Sequence, residues 1–419
     1  MSATGEGPLA RRLGTADAVV IGLGSMIGAG VFAAFAPAAA AAGTWLLLGL
    51  VVAGVIALCN ATASAQLAAQ YPTSGGTYVY GRERLGAWPG FLTGWSFVVG
   101  KTASCAAMAL TFAAYTAPAG WERPLAVLAV VALAAVNYGG VTRTAALARV
   151  VVALVLAVLV LAMVVGLGAV EVEWPAPSPT QPSAAGVLQS AGLLFLAFAG
   201  YARVATLGEE VREPRRTIPR AILLSLGIVL VLYAAVALTL LRTLGVDSLA
   251  GSSAPVADAV AGTWMVPVVR VGAALAALGA LLALIAGVGR TALAMARHGD
   301  LPRPLAAVHP RYRVPHRAEV AVAVVVCVLV LTVDLREAIG FSSFGVLLYY
   351  AVANAAAVTQ ERQWRRYPRA LQVLGVAGCL LLVATLPATA VAGGVVVLGV
   401  GVVYRLVRTR HEHGAAPRA

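Results

Sequence analysis

Twelve apolar runs order the chain, at residues 16–42, 44–69, 90–116, 124–140, 145–169, 186–208, 219–242, 260–294, 318–335, 338–359, 370–388 and 390–407, with short polar connections between them. The hydrocarbon core of a bilayer is about 30 Å thick and takes about 17–25 helical residues to cross, so each run predicts one membrane-spanning helix. The pattern divides into an N-terminal tail at 1–15, five spans over 16–169, five more over 186–359, a last pair over 370–407 and a C-terminal tail at 408–419. Two arginines precede the first run, as in a secretory signal, but no small-residue cleavage site follows a short apolar stretch. The first span is therefore expected to be retained. Nothing in the pattern predicts a separately folded soluble domain.

Composition narrows the class. Hydrophobic residues make up 60% of the 419 positions and charged residues 11%, against about 25% charged in soluble domains. Mean hydropathy is +0.89, and an ordinary soluble globular protein is excluded. The surplus of 30 Lys and Arg over 17 Asp and Glu would suit nucleic acid, yet the arginines lie in short clusters between apolar runs with no basic aromatic face, so nucleic acid is not expected as a partner. They follow the positive-inside rule instead: with a cytoplasmic N-terminus, 24 arginines fall in inward segments and 4 (Arg123, Arg242, Arg270 and Arg336) in outward ones. A multi-pass protein of the cytoplasmic (inner) membrane with both termini inside is expected. Two cations remain within spans, Arg203 and Lys101, the only lysine in the chain.

Catalysis within the membrane needs nucleophilic or titratable groups converging at one depth. The five histidines, His298, His309, His316, His411 and His413, all lie in inward loops or the tail, and no Asp or Glu occupies the middle of a span. The cysteines Cys59, Cys105, Cys327 and Cys379 sit in apolar runs without a CxxC pair and read as packing residues. No metal ligand set, cofactor motif or enzyme motif is present, so the expected role is movement of a solute across the bilayer.

The run Gly22-Leu23-Gly24-Ser25-Met26-Ile27-Gly28-Ala29-Gly30-Val31-Phe32 carries the sharpest signal. Glycines cost a continuous helix up to about 1 kcal/mol each relative to alanine, and unwound backbone at membrane depth is tolerated where it lines a cavity or meets a ligand. Freed amides at the start of the next half-helix suit a carboxylate, and freed carbonyls before them suit an ammonium. The alternative is a small-residue face for close helix packing. A second irregularity, Phe198-Ala199-Gly200-Tyr201, interrupts span six. Interrupted helices at matching places in two halves point to a transporter built from inverted repeats.

With GSMIGAGVF in span one, AFAGYARVATLGEEVREPRRTIPRAI across span six and its loop, and GRTALAMARHGDLPRPLAAVHPRYRVP after span eight, the chain resembles the amino acid–polyamine–organocation (APC) superfamily of permeases. The resemblance implies an all-α polytopic membrane protein of twelve transmembrane helices, a LeuT-like five-plus-five inverted repeat with discontinuous helices one and six, plus two accessory helices. It implies a substrate held between spans one and six with help from three, eight and ten. Carried onto this chain, the substrate carboxylate faces the amides around Ile27, Gly28, Ala29 and Gly30, and the ammonium faces carbonyls near Met26, Phe198 and Ala199. Ser25, Gly200 and Cys105 complete the candidate set, with Phe198 and Tyr201 as aromatic walls or as packing.

Three departures bear on coupling. Ala202 stands where a polar residue commonly follows the glycine-aromatic pair, Val150 to Val165 lacks the basic residue of related cation-independent members, and Val271 to Gly289 lacks Ser and Thr. A conventional sodium site is therefore not expected. Lys101 lies about eleven residues into span three, roughly 16 Å by helical rise, too deep to reach the interface. It could exchange a proton, since desolvation disfavours an ammonium, contact the substrate, or bond a broken-helix carbonyl. Arg203 could pair with Glu209 or Glu210 as a gate, contact substrate, or snorkel.

An amino acid carrier, proton-coupled or exchanging, is the expected function. A polyamine or organic-cation carrier and a non-transporting amino acid sensor or scaffold are the alternatives. Tyr71 to Gly76 and Gly299 to Pro304 read as turn-rich connectors, Trp174 to Pro179 as a proline-rich link between the halves, and the tail after Arg410 as disordered.

Overall fold

The computed structural model describes residues 13–71, 76–140, 145–169, 183–205, 207 and 210–414. The proline-rich link, Glu209 and most of the 71–76 connector lie outside these residues. All regular structure among those described is helical: α1 (Thr15–Met26), α2 (Ala29–Ala33), α3 (Phe35–Ala42), α4 (Leu46–Gln70), α5 (Gly76–Leu85), α6 (Ala87–Thr116), α7 (Glu122–Tyr138), α8 (Ala145–Gly168), α9 (Ala184–Phe198), α10 (Ala202–Ala205), α11 (Pro214–Gly251), α12 (Pro255–Asp258), α13 (Met265–Arg297), α14 (His316–Thr332), α15 (Leu335–Val358), α16 (Arg369–Thr385) and α17 (Ala388–Gly414). The last of these continues past Arg410, where the sequence suggests disorder.

Nine helical stretches among the described residues are long and apolar enough to cross a bilayer. Spans four, nine and eleven correspond to α7, α14 and α16, each of 17 residues, at the short end of what a bilayer needs. Large apolar side chains point outward along the bundle, Val231 at 72% and Val396 at 65% exposure. Water would not tolerate such a surface, whereas lipid tails suit it. The chain is a multi-pass helical membrane protein.

Small residues let the helices approach. A Cβ on Gly345 of α15 would lie 2.7 Å from the Gly100 Cα of α6, and one turn away Ser104 Oγ and Ser342 Oγ are hydrogen-bonded at 2.6 Å. Close backbone contact with a polar bridge is how helices associate where no hydrophobic effect drives them together.

At the arginine-rich end, the Gly299–Pro304 segment does more than connect. Asp300, buried, accepts from Tyr78 Oη of α5 at 2.7 Å and Arg82 Nη1 at 3.2 Å, and also pairs with Arg405 of α17. The Arg405 guanidinium lies 4.9 Å from the Trp88 ring and 4.7 Å from Phe91, within cation–π range. Burial and the neighbouring carboxylate push the Tyr78 phenol up from its ordinary value. The sequence does not predict α5, because residues 76–85 are too polar for a span and show no apolar stripe.

Candidate functional site

The first apolar run breaks where its glycines cluster. Helix α1 ends at Met26, Ile27 and Gly28 leave helical geometry (ψ 55° and −147°), and α2 begins at Ala29. Both residues keep negative φ, so backbone freedom alone does not select glycine there. Space does: a Cβ on Gly28 would stand 2.9 Å from the Ala280 Cβ of α13, one on Gly24 2.6 Å from Val152 of α8, and one on Gly30 2.7 Å from the Ala197 Cα of α9. The two readings of the glycine run, an unwound segment and a packing face, meet at Gly28, while Gly24 and Gly30 pack within α1 and α2.

The second irregularity meets the first. Helix α9 ends at Phe198, Ala199–Tyr201 form a single 3-10 turn, and α10 follows. A Cβ on Gly200 would fall 2.1 Å from Ser25 O and 2.5 Å from Met26 N, so the backbones of the two broken segments touch. They are also joined at the arginine-rich end, where Leu13 N donates to Glu210 O at 3.1 Å and Arg212 N to Leu13 O at 2.9 Å. Glu210 enters this join through its main chain.

Breaking a helix frees main-chain groups that lipid cannot satisfy. Three side chains that span other helices supply the missing donors. Tyr233 Oη of α11 lies 2.7 Å from Met26 O and 3.0 Å from Ala197 O, one hydroxyl proton serving the carbonyl ends of both segments. Tyr350 Oη of α15 donates to Ala199 O at 3.2 Å, and Lys101 Nζ of α6 approaches the same oxygen at 3.5 Å. On the amide side, Gly28, Ala29 and Gly30 make no turn or loop hydrogen bond through their N–H groups. Aromatic rings enclose the junction, with Phe198 edge-on to Tyr233 at 5.1 Å and Tyr201 beside Tyr350 at 5.2 Å.

Lys101 is buried, and no carboxylate among the described residues lies within 4 Å of it. Cys105, one turn on, is buried as well. The Ser25 hydroxyl is turned back onto Ile21 O at 2.8 Å. Arg203 lies on α10, four residues past Ala199. Thus Ser25 to Gly30, Phe198 to Tyr201 and Lys101 converge on one junction. Tyr233 and Tyr350 are absent from the sequence reading; a phenol isolated in an apolar run is a usable signal, since a buried hydroxyl needs a partner. A cavity of about 230 Å³ opens elsewhere, between α3, α9, α15 and the start of α17; the junction itself is closely packed.

Two helices broken at one depth, touching through glycine backbone inside a polytopic bundle, define the class of membrane proteins that hold solutes between interrupted helices. Sequence comparison agrees: the amino acid permease family pattern matches residues 13–408, and the chain belongs to that family, within the APC superfamily. It is 60% identical to an uncharacterized transporter of Mycobacterium tuberculosis over 94% of this chain and 90% of that protein. It is 26% identical to a branched-chain amino acid permease of Bacillus subtilis, over 98% of this chain and 95% of the permease. A chloroplastic cationic amino acid transporter of Arabidopsis thaliana is 30% identical, over 81% of this chain and 64% of the transporter. The chain is a transporter of the amino acid permease family.

Proposed function

We propose that this chain carries an amino acid across the cytoplasmic membrane by alternating access, with its arginine-rich end and both termini in the cytoplasm. In this reading there are twelve spans: α1 to α8 and α9 to α15 form two inverted five-span repeats, and α16 and α17 are accessory. The observation that carries the reading is the junction of the two broken helices, where Gly200 rests on Ser25 and Met26.

The substrate carboxylate binds the amides of Gly28, Ala29 and Gly30, since the Ile27 N–H that the sequence also offers is taken by Leu23 O at 2.7 Å, and the ammonium takes the carbonyls of Met26, Phe198 and Ala199. Tyr233, Tyr350 and Lys101 hold two of these carbonyls in the closed arrangement, so the ammonium replaces donors already in place. This substitution keeps the broken ends satisfied with and without cargo. Relatives differ in the cargo their names state, branched-chain amino acids in one and cationic amino acids in another. A lysine and no mid-span carboxylate at the junction disfavour a cationic substrate here and support a neutral amino acid.

Lys101 couples the cycle to protons. It is charged when protonated and held by the Ala199 carbonyl; loss of the proton removes the charge from a site where burial penalises it. Arg203 with Glu209 and Glu210 gates the cytoplasmic side.

The test is uptake of the twenty radiolabelled L-amino acids by the purified chain in proteoliposomes, with and without an inside-alkaline pH gradient and with and without sodium. Saturable uptake of a neutral amino acid is expected, insensitive to sodium and raised by the gradient; Lys101→Gln lowers the gradient-driven rate about tenfold or more. Full pH drive in Lys101→Gln rejects the coupling role. No flux of any amino acid, together with thermal stabilisation by one of them, rejects transport in favour of a sensor.

A further inference from the structure

Away from the junction, on the interface that α4, α15 and α16 make with one another, the bundle buries an unusual run of uncharged polar side chains. Asn60 and Ser64 on α4, Asn354 on α15 and Gln372 on α16 are each no more than 1% exposed. Nearer the arginine-rich end lie Gln66 and Gln360, equally buried. Seven of their polar atoms have no hydrogen-bond partner among the described residues: Asn60 Nδ2, Ser64 Oγ, Gln66 Nε2, Asn354 Oδ1, Gln360 Oε1, and both Nε2 and Oε1 of Gln372.

Wrong amide orientation does not account for them. Asn354 Nδ2 donates to Asn60 Oδ1 at 2.6 Å; turning both amides over restores that bond and still leaves one donor and one acceptor open. Gln372 is open at both ends, whichever way it is turned. Buried polar groups are rarely left without partners, and in a bilayer lipid offers none. Open donors and acceptors gathered on one buried seam are the partners an internal water requires.

The seam has two ends. Toward the junction, Asn354 Nδ2 also donates to Tyr350 O at 2.9 Å, and Cys379 Sγ lies 3.3 Å from Asn60 Oδ1. Tyr350 Oη shares the Ala199 carbonyl with Lys101 Nζ. Toward the arginine-rich end, Gln360 Nε2 donates to Gln70 Oε1 at 2.6 Å, and Arg366 N approaches Gln66 Oε1 at 3.4 Å. Along α16, Gln372 stands one turn before Gly375, whose missing side chain lets the Asn354 amide lie flat on the helix: a Cβ there would be 2.3 Å from Asn354 Oδ1.

We propose that the α4–α15–α16 seam is a hydrated proton path between the cytoplasm and Lys101. The proposal rests on the reading of Lys101 as the coupling group. In the releasing step an N–H bond of the Lys101 ammonium breaks, its electron pair stays on nitrogen, and the proton passes to a water beside Tyr350 Oη. Water-to-water transfer carries it along Asn354, Asn60 and Gln372 to the Gln360 end; the amides orient the waters and take no proton themselves. Reloading from outside does not use the seam. Among the described residues, Cys105 faces Lys101 from its own helix and Tyr350 of α15 faces it through the shared Ala199 carbonyl; Tyr201 on the broken helix and Tyr349 on α15 lie against Tyr350, and Arg203 follows on α10.

Two measurements on the full chain test this. First, infrared spectroscopy follows S–H to S–D exchange at Cys379 after transfer to D₂O, with Cys59, Cys105 and Cys327 replaced by alanine. Fast exchange is expected, slowed by Gln372→Leu; exchange as slow in the parent as in the leucine variant overturns hydration. Second, proteoliposomes are given an equimolar mixture of the twenty radiolabelled L-amino acids. Gln372→Leu is expected to lower uptake driven by an inside-alkaline gradient about tenfold while leaving exchange at equal pH within about twofold. Asn354→Leu serves as the second variant.

Unchanged gradient-driven uptake in both leucine variants, with Lys101→Gln inactive toward the gradient, overturns the path while leaving the coupling role of Lys101 intact. Retained drive in Lys101→Gln instead overturns the coupling role, and conduction to Lys101 with it.

Discussion

At the helix junction, the carbonyls of Met26, Ala197 and Ala199 are met by two phenols and one lysine, with no carboxylate among the described residues within 4 Å of the lysine. At the arginine-rich end, Asp300 gathers Arg82 and Arg405 into one cluster of formal charges, and the Tyr78 phenol donates to the same carboxylate. The difference follows from depth. A full charge is expensive at the bilayer centre, so partial charges of broken backbone are matched there chiefly by neutral hydroxyls, with Lys101 the one cation bonded to them among the described residues. Near the interface the cost is lower and opposite charges hold three distant segments together. A junction closed by single hydroxyl bonds can open and reclose; a cluster of paired charges fixes its segments.

Substitutions at the two regions test that contrast. The largest effect is expected at Gly200, where Gly200→Val places side-chain atoms inside the Ser25–Met26 backbone; a loss on the order of 5 kcal/mol should leave no monodisperse protein on size exclusion in detergent. A folded, active valine variant would show that the backbone contact is dispensable. Asp300→Asn keeps the shape of the cluster but strands Arg82 and Arg405, at a cost of about 3 kcal/mol, read as a lowered midpoint of thermal unfolding in detergent. An unchanged midpoint would mean that the cluster does not hold its segments. The smallest structural effect is expected for Tyr233→Phe, about 1 kcal/mol, accompanied by a clear fall in amino acid uptake. Loss of stability with unaltered uptake would reverse that assignment and make Tyr233 a scaffold residue.

Much of the architecture is legible in the sequence. The apolar runs locate the helices because lipid leaves a backbone few options, and the glycine run and Phe198–Tyr201 mark both breaks. Helix α5 is not legible, since its ten residues carry neither a span's hydropathy nor a stripe, and its position depends on Tyr78 and Arg82 meeting Asp300 more than two hundred residues away. Tyr233 and Tyr350 look like ordinary aromatic residues in apolar runs until the fold brings their hydroxyls to Met26 and Ala199. For the same reason Asn60, Asn354 and Gln372, scattered over three helices, form a seam only in three dimensions.

The sequence by itself determined that this chain lives in a membrane, where its helices lie, where two of them break and which cation is buried, because each is a property of local composition acting on the backbone. Only the tertiary structure decided why the glycines are needed. The breaks could have been a matter of backbone freedom, but Gly200 and Gly28 are glycine because another segment occupies the space of a side chain, and no one-dimensional pattern carries that information. It likewise decided that Lys101 faces the Ala199 carbonyl, since which atoms meet across helices is set by packing and not by order along the chain.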